Sequence, residues 1–291
     1  MAGYQSVFRP GLFSGQVVIV TGGGSGIGRC TAHELASLGA TVALVGRKQD
    51  KLDAVLAELR QDVPGVVAGR WSCDIREEAT VAATVAAILK QFGRIDGLVN
   101  NAGGQFPAPL SQINQKGWET VVRNNLTGGF LMARECYTQW MADHGGAIVN
   151  IIADMWGGMP NMGHSGAARA GMLNFTETAA CEWGVSNVRV NAVAPGWIAS
   201  SGMDTYPDWM GPVIRSMRDR VPLQRLGNEA EVSAAILFLL SPASAFISGS
   251  CIRVDGAVPN ARPNYQLPKH RKSQEFPGFH RAVTPKVLQE D

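Results

Sequence analysis

The stretch Thr21-Gly22-Gly23-Gly24-Ser25-Gly26-Ile27-Gly28 follows a β-branched run at 17–20 and leads into a helical pattern that continues to Ala36. Glycines between a strand and a helix allow the tight turn and the close approach of the backbone that a pyrophosphate group requires. The positive end of the helix dipole then points at the phosphates. This stretch therefore predicts a strand-loop-helix unit that binds a dinucleotide.

The alternation of strand and helix continues along the rest of the chain. Apolar, β-branched runs predict further strands at 41–45, 67–72, 97–99, 147–151, 188–193 and 250–254, with helical patterns such as 77–91, 118–143 and 172–183 between them. Such alternation is typical of parallel strands joined by right-handed crossovers. We predict an α/β fold over residues 1–256, a single Rossmann-type doubly wound parallel sheet of about seven strands with helices on both faces. Residues 257–291 are rich in proline and are predicted to form an extension with little regular structure.

The composition excludes several classes of function. The 291 residues include 26 basic and 24 acidic ones, so the chain lacks the excess of positive charge that nucleic-acid binding requires. Five scattered cysteines without a CxxC pair indicate reduced core thiols, and the five histidines show no metal-ligand spacing. No apolar run approaches the roughly 20 residues of a membrane span, and the N-terminal residues are too polar for a signal peptide. We expect a cytoplasmic protein with no nucleic-acid partner, no membrane association and no metal site.

Two basic residues after the second predicted strand indicate which dinucleotide is bound. An NAD enzyme carries an acid at this position for the ribose hydroxyls, whereas this chain has Arg47 and Lys48. A guanidinium suits a 2′-phosphate as a planar bidentate donor, so NADP(H) is the predicted cofactor. The alternative is that Arg47 is only a solvated charge at a helix start. The residues predicted from these strand ends to bind the cofactor are Thr21, Gly22, Gly24, Ser25, Gly26, Ile27, Gly28, Arg47, Lys48, Asp74, Ile75, Asn101, Ala102 and Gly103.

Four motifs together resemble the short-chain dehydrogenase/reductase family: TGGGSGIG at 21–28, NNAGG at 100–104, NNLTG at 124–128 and VNAVAPG at 190–196. The resemblance covers roughly residues 14–256. The segments 10–17, 103–106, 150–152 and 164–171 are most similar to the peroxisomal trans-2-enoyl-CoA reductases and, more loosely, to the 2,4-dienoyl-CoA reductases. The resemblance implies a homotetramer, a mobile substrate lid at about 197–228, and further cofactor contacts at Arg169, Pro195, Gly196 and Ile198.

The catalytic set of the resembled family is Asn-Ser-Tyr-Lys, and this chain departs from it at three of four positions. Asn125 matches the Asn, whereas the Ser falls at Ala153, the Tyr at Ser165 and the Lys at Arg169. A serine hydroxyl is a far weaker acid than a phenol and an arginine stays charged, so neither titrates near neutral pH. Alcohol oxidation and ketone reduction are therefore disfavoured. Ser165 and Arg169 lie one helical turn apart and face the same side.

Reduction of the C=C bond of an α,β-unsaturated thioester needs only a donor at the oxygen where enolate charge develops. The sequence therefore predicts an NADPH-dependent reductase of enoyl-CoA-type thioesters, with Ser165, Arg169 and Asn125 as catalytic residues. His164 is a further candidate that either contacts the substrate or only packs at a helix start. Asp154 is either an acid whose pKa burial raises or a turn residue.

Two alternative functions remain open at this point. The first is a hydroxyacyl-CoA or alcohol dehydrogenase with Asp154 as a non-standard acid, and the second is a pseudoenzyme that binds the cofactor without catalysis. The lid segment offers apolar side chains for an acyl chain, or for its own packing, at Met203, Tyr206, Trp209, Met210 and Met217. It also offers cations that could meet CoA phosphates, or form a solvated helix face, at Arg215, Arg218 and Arg220.

Overall fold

The computed structural model describes residues 3–261 and 264–289, and within them a seven-stranded, all-parallel sheet forms the centre of the fold. Its strands are β1 (Val17–Thr21), β2 (Thr41–Gly46), β3 (Ala68–Ser72), β4 (Gly97–Asn100), β5 (Gly146–Ile151), β6 (Val188–Pro195) and β9 (Cys251–Val254). They lie in the order β3-β2-β1-β4-β5-β6-β9. The predicted fold class is therefore confirmed. A separate two-residue ladder joins β7 (Ile198–Ala199) to β8 (Gly227–Asn228).

Helices cover both faces of the sheet because alternate strand residues point to opposite sides. Their bounds are α1 Gly26–Ser37, α2 Gln49–Asp62, α3 Glu78–Phe92, α4 Gln115–Val122, α5 Gly128–Cys136, α6 Ala142–His144, α7 Gly163–Glu182, α8 Gly211–Ser216 and α9 Glu229–Leu240. Val18, Val20 and Leu44 belong to one core cluster, which includes buried residues of α1, α2 and α9. Ile19 and Val45 belong to the other, which includes residues of α3, α5 and α7.

The helix predicted at 118–143 is one helical path with two wider turns. Turns of π geometry at Arg123–Thr127 and Tyr137–Met141 separate α4, α5 and α6. Each such turn adds a residue to the helical register, and single π turns inside helices are frequent at functional sites. The first turn carries Asn125, which is buried. The change of register was not visible in the apolar spacing, from which one regular helix was predicted.

The described part of the C-terminal segment has short 3-10 turns at Val258–Asn260 and Lys286–Leu288 and otherwise irregular backbone. Phe279 is buried in a small cluster with Cys30 of α1 and Ala230 of α9. Arg281 donates to both carboxylate oxygens of Asp62, at 2.6 and 2.7 Å. The segment therefore packs along the outer surface of α1 and α2.

The cysteines and helices test two further expectations. All five cysteines are free thiols; Cys30, Cys73 and Cys136 are buried, whereas Cys181 is exposed, so the prediction of a core position is wrong for Cys181. In the part of the chain that the structure describes, none of the helices combines the length and the apolar character that a membrane span needs.

A buried amide network connects the ends of β4 and β5 to α7. Asn100 donates through Nδ2 to Asn150 Oδ1 at 2.9 Å and to the Gly129 carbonyl at 2.9 Å. Asn150 in turn donates to Thr176 Oγ1 at 2.9 Å. Asn150 is fully buried. Because an unpaired buried polar group costs the full desolvation penalty, this network makes the position of α7 against the sheet specific.

We expect Asn150→Ala to lower the free energy of unfolding by about 2 kcal/mol, since one N–H of Asn100 Nδ2 loses its acceptor and Thr176 Oγ1 loses its donor inside the core. The measurement is the urea midpoint at constant m value. Asn174→Ala, on the exposed side of α7, is the matched control and should change stability by less than about 0.5 kcal/mol. Equal effects of the two substitutions on the free energy of unfolding would contradict the stabilising role of Asn150.

Candidate active site

The glycine loop after β1 has a backbone that only glycine accommodates. Gly22 and Gly26 have φ angles of +66° and +55°, and a Cβ on Gly28 would lie 2.5 Å from the Gly22 carbonyl oxygen. Ser25 occupies the N-cap of α1 but makes no capping hydrogen bond with its side chain. The first-turn amides of α1 are therefore not capped by the side chain of Ser25. These features fit the pyrophosphate of a dinucleotide.

Thr21 and Asn101, both predicted to bind the cofactor, have side chains that join the ends of β1 and β4. Thr21 Oγ1 accepts from the backbone amides of Asn101 and Ala102, each at 3.0 Å. Asn101 Nδ2 donates to the Thr21 carbonyl at 3.0 Å. The strand order reverses between β1 and β4, and such a reversal opens the crevice where dinucleotides bind. These two side chains therefore set the width of that crevice.

The predicted contacts for the adenosine half lie at the ends of β2 and β3. Arg47 and Lys48 are exposed after β2. Asp74 accepts from Arg76 Nε at 2.8 Å, and this pairing is the main cause that lowers the pKa of Asp74 to about 2. Ile75 is buried and lies against Gly128, where an added Cβ would be 2.6 Å from the Ile75 side chain. Cationic groups thus line this end of the crevice.

Arg169 is buried at the end of β5. Its Nη1 donates to the Ile151 carbonyl at 2.6 Å, and its Nη2 lies 3.5 Å from Asn125 Oδ1. Burial lowers the pKa of Arg169 to about 10, which leaves the guanidinium charged at neutral pH. A Cβ on Gly103 would lie 2.5 Å from Arg169 Nη2, so the glycine makes room for the guanidinium. Arg169 and Gly103, both predicted from sequence, are brought together.

The carboxamide of Asn125 connects the loop after β4 to Ser165 and Arg169. Its Oδ1 accepts from the Gly104 amide at 2.9 Å, while its Nδ2 donates to the Gly104 carbonyl at 3.1 Å. The same Nδ2 lies 3.5 Å from Ser165 Oγ. The three residues predicted from the resemblance, Asn125, Ser165 and Arg169, therefore form one cluster at the carboxyl ends of β4 and β5.

Ser165 makes a hydrogen bond that sequence reasoning missed. Its hydroxyl donates to Gln105 Oε1 at 2.5 Å, and Gln105 Nε2 donates to the Tyr206 hydroxyl at 3.1 Å. The sequence indicates Gln105 only as part of a segment similar to the enoyl-CoA reductases, and Tyr206 only as an apolar residue of the lid. No sequence signal links two side chains that are 101 positions apart.

His164 and Asp154, the two further catalytic candidates, have different surroundings. His164 is fully buried at the start of α7, where its Nδ1 accepts from the Ser165 amide at 2.8 Å and its ring meets Phe106 edge-on. Burial lowers the pKa of His164, which favours the neutral ring. These contacts agree with packing at a helix start.

Asp154 belongs to a different group of charges. Burial and, secondarily, the neighbouring Asp255 raise the pKa of its carboxyl, while Arg253 acts in the opposite sense. Its backbone amide donates to the Pro195 carbonyl at 3.1 Å. The charges of Asp255 and Arg253, at the end of β9, are therefore the neighbours of the Asp154 carboxyl, and its catalytic role stays a prediction.

The end of β6 provides the last predicted cofactor contacts. The Gly196 amide donates to the Val254 carbonyl at 2.9 Å, and a Cβ at Gly196 would lie 2.8 Å from Asp255 Cα. Pro195 closes β6, and Ile198 begins the short ladder with Gly227. These residues continue the crevice towards the lid, at the same edge of the sheet as Arg169.

The lid residues form their own apolar cluster with the C-terminal segment. Met203 and Met210 are buried, with Tyr206, Val287 and Leu288 packed around them. The other aromatic, Trp209, is exposed. The methionines therefore contribute at least partly to packing.

The cations of the lid lie beside a cavity. Arg215 and Arg218 line a cavity of about 430 Å³ between the lid and residues 275–288, and Arg215 donates to the Val287 carbonyl at 3.2 Å. Arg220 is exposed. Arg215 and Arg218 therefore lie on the side of the lid that faces the C-terminal segment.

One group in the described ranges, His33, Asp62 and His280, has the composition of a metal site. Asp62 already accepts from His280 at 2.7 Å and from Arg281 at 2.6 Å, and the contact with Arg281 is the main cause that lowers its pKa to about 2. Its charge is thus matched by a guanidinium, which leaves little attraction for a cation. We interpret the group as an attachment point of the C-terminal segment.

Glu229 is a buried carboxyl beside the glycine loop that no sequence signal singles out. It begins α9, is 9% exposed, and has an oxygen 3.9 Å from the position of an added Cβ on Gly26. Burial raises its pKa from 4.5 to about 7, with Arg29 opposing the shift. Because the folded-state pKa is the higher one, the stabilising contribution is complete below pH 4.5 and is lost as the pH rises through 7.

We expect Glu229→Gln to raise the free energy of unfolding at alkaline pH by on the order of 3 kcal/mol and to change it little under acid conditions. The measurement is a series of denaturation curves across this pH range. Glu275→Gln, an exposed carboxylate that lines the same cavity, serves as the control and should show no such pH dependence. A constant difference between Glu229→Gln and the unaltered protein at every pH would contradict the expectation.

Comparison with known proteins places this geometry in a family. The profile of the family described as enoyl-(acyl carrier protein) reductase matches residues 22–258. A peroxisomal 2,4-dienoyl-CoA reductase of Danio rerio is 38% identical over 88% of this chain and 85% of its own length. A probable 2,4-dienoyl-CoA reductase of Bacillus subtilis is 36% identical over 83% of this chain and 95% of its own length.

A solved structure adds a more similar relative. The citronellol catabolism dehydrogenase AtuB of Pseudomonas aeruginosa PAO1 is 60% identical, with a TM-score of 0.79, over 88% of this chain and all of its own. The sequence had indicated the trans-2-enoyl-CoA reductases as the most similar branch, but the curated relatives are named 2,4-dienoyl-CoA reductases, which corrects that placement. The glycine cradle and the matched length lead to one conclusion, that the chain belongs to the short-chain dehydrogenase/reductase family of NAD(P)-dependent oxidoreductases.

Proposed function

We propose that this protein is an NADPH-dependent reductase of the C=C bond of enoyl-CoA-type thioesters. The observation that carries the proposal is the pair Ser165 and Arg169, which replaces the titrating pair of the family and is tied to Asn125. Neither a serine hydroxyl nor an arginine exchanges a proton with an alcohol near neutral pH. Reduction of a conjugated C=C bond does not require that exchange at the carbonyl oxygen.

Arg169, Asn125 and Ser165 act on the negative charge that develops during the reduction. When bound, the reduced nicotinamide supplies a hydride to the β carbon, and negative charge then develops on the thioester oxygen. The buried guanidinium of Arg169 supplies a fixed positive potential at the carboxyl end of β5, and Asn125 keeps Ser165 in place. A preorganised donor at the developing charge is worth roughly 10²–10³ in rate.

The names of the relatives support reduction of a CoA thioester as a class of reaction, without specifying the acyl chain. Two curated relatives are named as 2,4-dienoyl-CoA reductases, whose names specify reduction of an unsaturated CoA thioester. Arg215 and Arg218 beside the lid cavity offer cations for a phosphate-bearing substrate. The homotetramer and the cytoplasmic location implied earlier stay predictions.

One observation favours a second candidate function. The relative at 60% identity is titled a citronellol catabolism dehydrogenase, which points to a branched, acyclic terpenoid substrate and to oxidation of an alcohol. Such a reaction needs a base, and Asp154 has a raised pKa but lies among Asp255 and Arg253. The geometry therefore favours C=C reduction. A branched unsaturated acyl thioester is compatible with the name of the citronellol relative and with the names of the 2,4-dienoyl-CoA reductases.

The direct test is NADPH oxidation with a panel of straight and branched enoyl-CoAs, run beside NADP⁺ reduction with citronellol. We expect turnover of an enoyl-CoA, with kcat about 100-fold lower in Ser165→Ala because the hydroxyl that links Asn125 and Gln105 beside the developing charge is lost. Ser216→Ala, on an exposed part of the lid, is the control and should keep full activity. Oxidation of citronellol without reduction of any enoyl-CoA would establish the second candidate and refute the first.

The choice of NADP(H) is tested separately through Arg47. We expect Arg47→Glu to weaken NADPH binding by about 10- to 100-fold and to leave NADH binding unchanged or stronger, because the guanidinium would no longer pair with the 2′-phosphate. Isothermal titration with both nucleotides measures this. Arg60→Glu, near the other end of α2, controls for net charge. Equal weakening of NADH and NADPH would refute the role of Arg47.

A further inference from the structure

The proposed reduction requires a proton at the α carbon of the substrate, and the position where the family carries its tyrosine has only Ser165. We propose that Tyr206, on the lid, supplies this proton and that Gln105 holds its hydroxyl in place. This inference rests on the proposed function, since it names the acid of that same reaction. The supporting observation is the hydrogen-bonded series from Tyr206 through Gln105 to Ser165.

The directions of these hydrogen bonds decide which hydroxyl has a proton to give. Ser165 donates its only hydroxyl proton to Gln105 Oε1 at 2.5 Å. Gln105 Nε2 donates to the oxygen of Tyr206 at 3.1 Å, so the phenol acts as acceptor in this bond. In the described ranges this is the one hydrogen bond of the Tyr206 hydroxyl, and its own proton is free for a substrate. The phenol therefore takes the place of the missing acid.

The position of Gln105 is fixed by the catalytic cluster itself. The neighbouring Gly104 is held through both its amide and its carbonyl by the carboxamide of Asn125, at 2.9 and 3.1 Å. A single amide group thus separates the Tyr206 hydroxyl from Ser165, the residue at the family's tyrosine position. The phenol and the cluster are consequently parts of one site although they come from different segments of the chain.

The packing of Tyr206 in the lid also supports this role. Tyr206 is half-buried, and Met203 and Met210 are the buried members of the apolar cluster on which it packs. Its ring is therefore anchored in the lid, while its hydroxyl contacts Gln105 of the loop after β4. The phenol thus lies on the lid side of the Gln105 amide, and Ser165 lies on its core side.

The step balances in atoms and electrons. Hydride delivered to the β carbon forms a C–H bond with two electrons from NADPH, and the C=C electrons move to the α carbon and the thioester oxygen. The Tyr206 O–H bond then breaks and its proton forms the second C–H bond at the α carbon. Gln105 Nε2 donates to the resulting phenolate, which solvent reprotonates. The net reaction consumes one enoyl thioester, one NADPH and one proton.

The side-chain amide of Gln105 can also be rotated by 180°, which exchanges its oxygen and nitrogen. This orientation makes Ser165 the alternative proton donor, and experiment can distinguish the two. In the reversed orientation Tyr206 donates to the amide oxygen and Ser165 keeps a free proton. Tyr206→Phe removes the phenolic proton while it retains the ring that packs in the lid. Ser165→Ala removes the other hydroxyl, so the two substitutions distinguish the two donors.

The experiment measures turnover and product stereochemistry in D₂O with the best enoyl-CoA of the panel. We expect Tyr206→Phe to lower kcat about 100-fold with a much smaller change in KM, and NADPH affinity by calorimetry to stay unchanged. The unaltered enzyme should place deuterium on one face of the α carbon, as NMR of the product detects. Tyr206→Phe should distribute deuterium over both faces, because solvent then delivers the proton.

Tyr265→Phe, an exposed tyrosine of the C-terminal segment, is the matched control and should behave like the unaltered enzyme. Tyr206→Phe with unchanged kcat and unchanged facial selectivity would overturn the inference while the proposed function stands. Loss of selectivity in Ser165→Ala alone would assign the proton to Ser165 and overturn it as well. An unaltered enzyme that reduces no enoyl-CoA would refute the proposed function and this role together.

Discussion

The carboxamide of Asn125 is the interaction on which the rest of the site depends. It accepts from and donates to Gly104, and it lies 3.5 Å from both Ser165 and Arg169. The π turn at Arg123–Thr127 carries this side chain in the long helical path, where it is buried. Three segments that are distant in sequence, namely the loop after β4, the first turns of α7 and this π turn, are therefore held by one side chain. Without it, Gly104, the neighbour of Gln105, would lose both of its hydrogen bonds to this cluster.

Arg169 illustrates how the departures from the family pattern change the chemistry. The Ile151 carbonyl at the end of β5 holds its guanidinium, and burial lowers its pKa only to about 10. The site thus has a permanent positive charge where the family has a titrating lysine, and Ser165 where the family has a phenol. Such a site is suited to stabilising a developing enolate and poorly suited to exchanging a proton with an alcohol. The 2,4-dienoyl-CoA reductases among the relatives are consistent with a site that stabilises an enolate.

The fold and the nucleotide crevice could be predicted because their signals are local. The β-branched runs predicted every strand of the main sheet to within about two residues, and Gly22 and Gly26 have a left-handed backbone that residues with a side chain rarely adopt. The contact between Gln105 and Tyr206 could not be predicted, since it joins a loop to the lid across 101 positions. The charged neighbours of Asp154, which include Asp255 and Arg253, could not be predicted from its nearness to the catalytic strand in sequence. Glu229 was missed because only its burial beside Gly26 makes it unusual.

The central claim is that hydride is added to a C=C bond. It is tested most directly with NADPH that carries deuterium at the transferable position of the nicotinamide, in a single turnover with an enoyl-CoA, followed by NMR of the acyl product. The account predicts a saturated thioester with deuterium on the β carbon. Deuterium on a carbon that bears a hydroxyl group, or no transfer from bound NADPH to any unsaturated thioester, would contradict it.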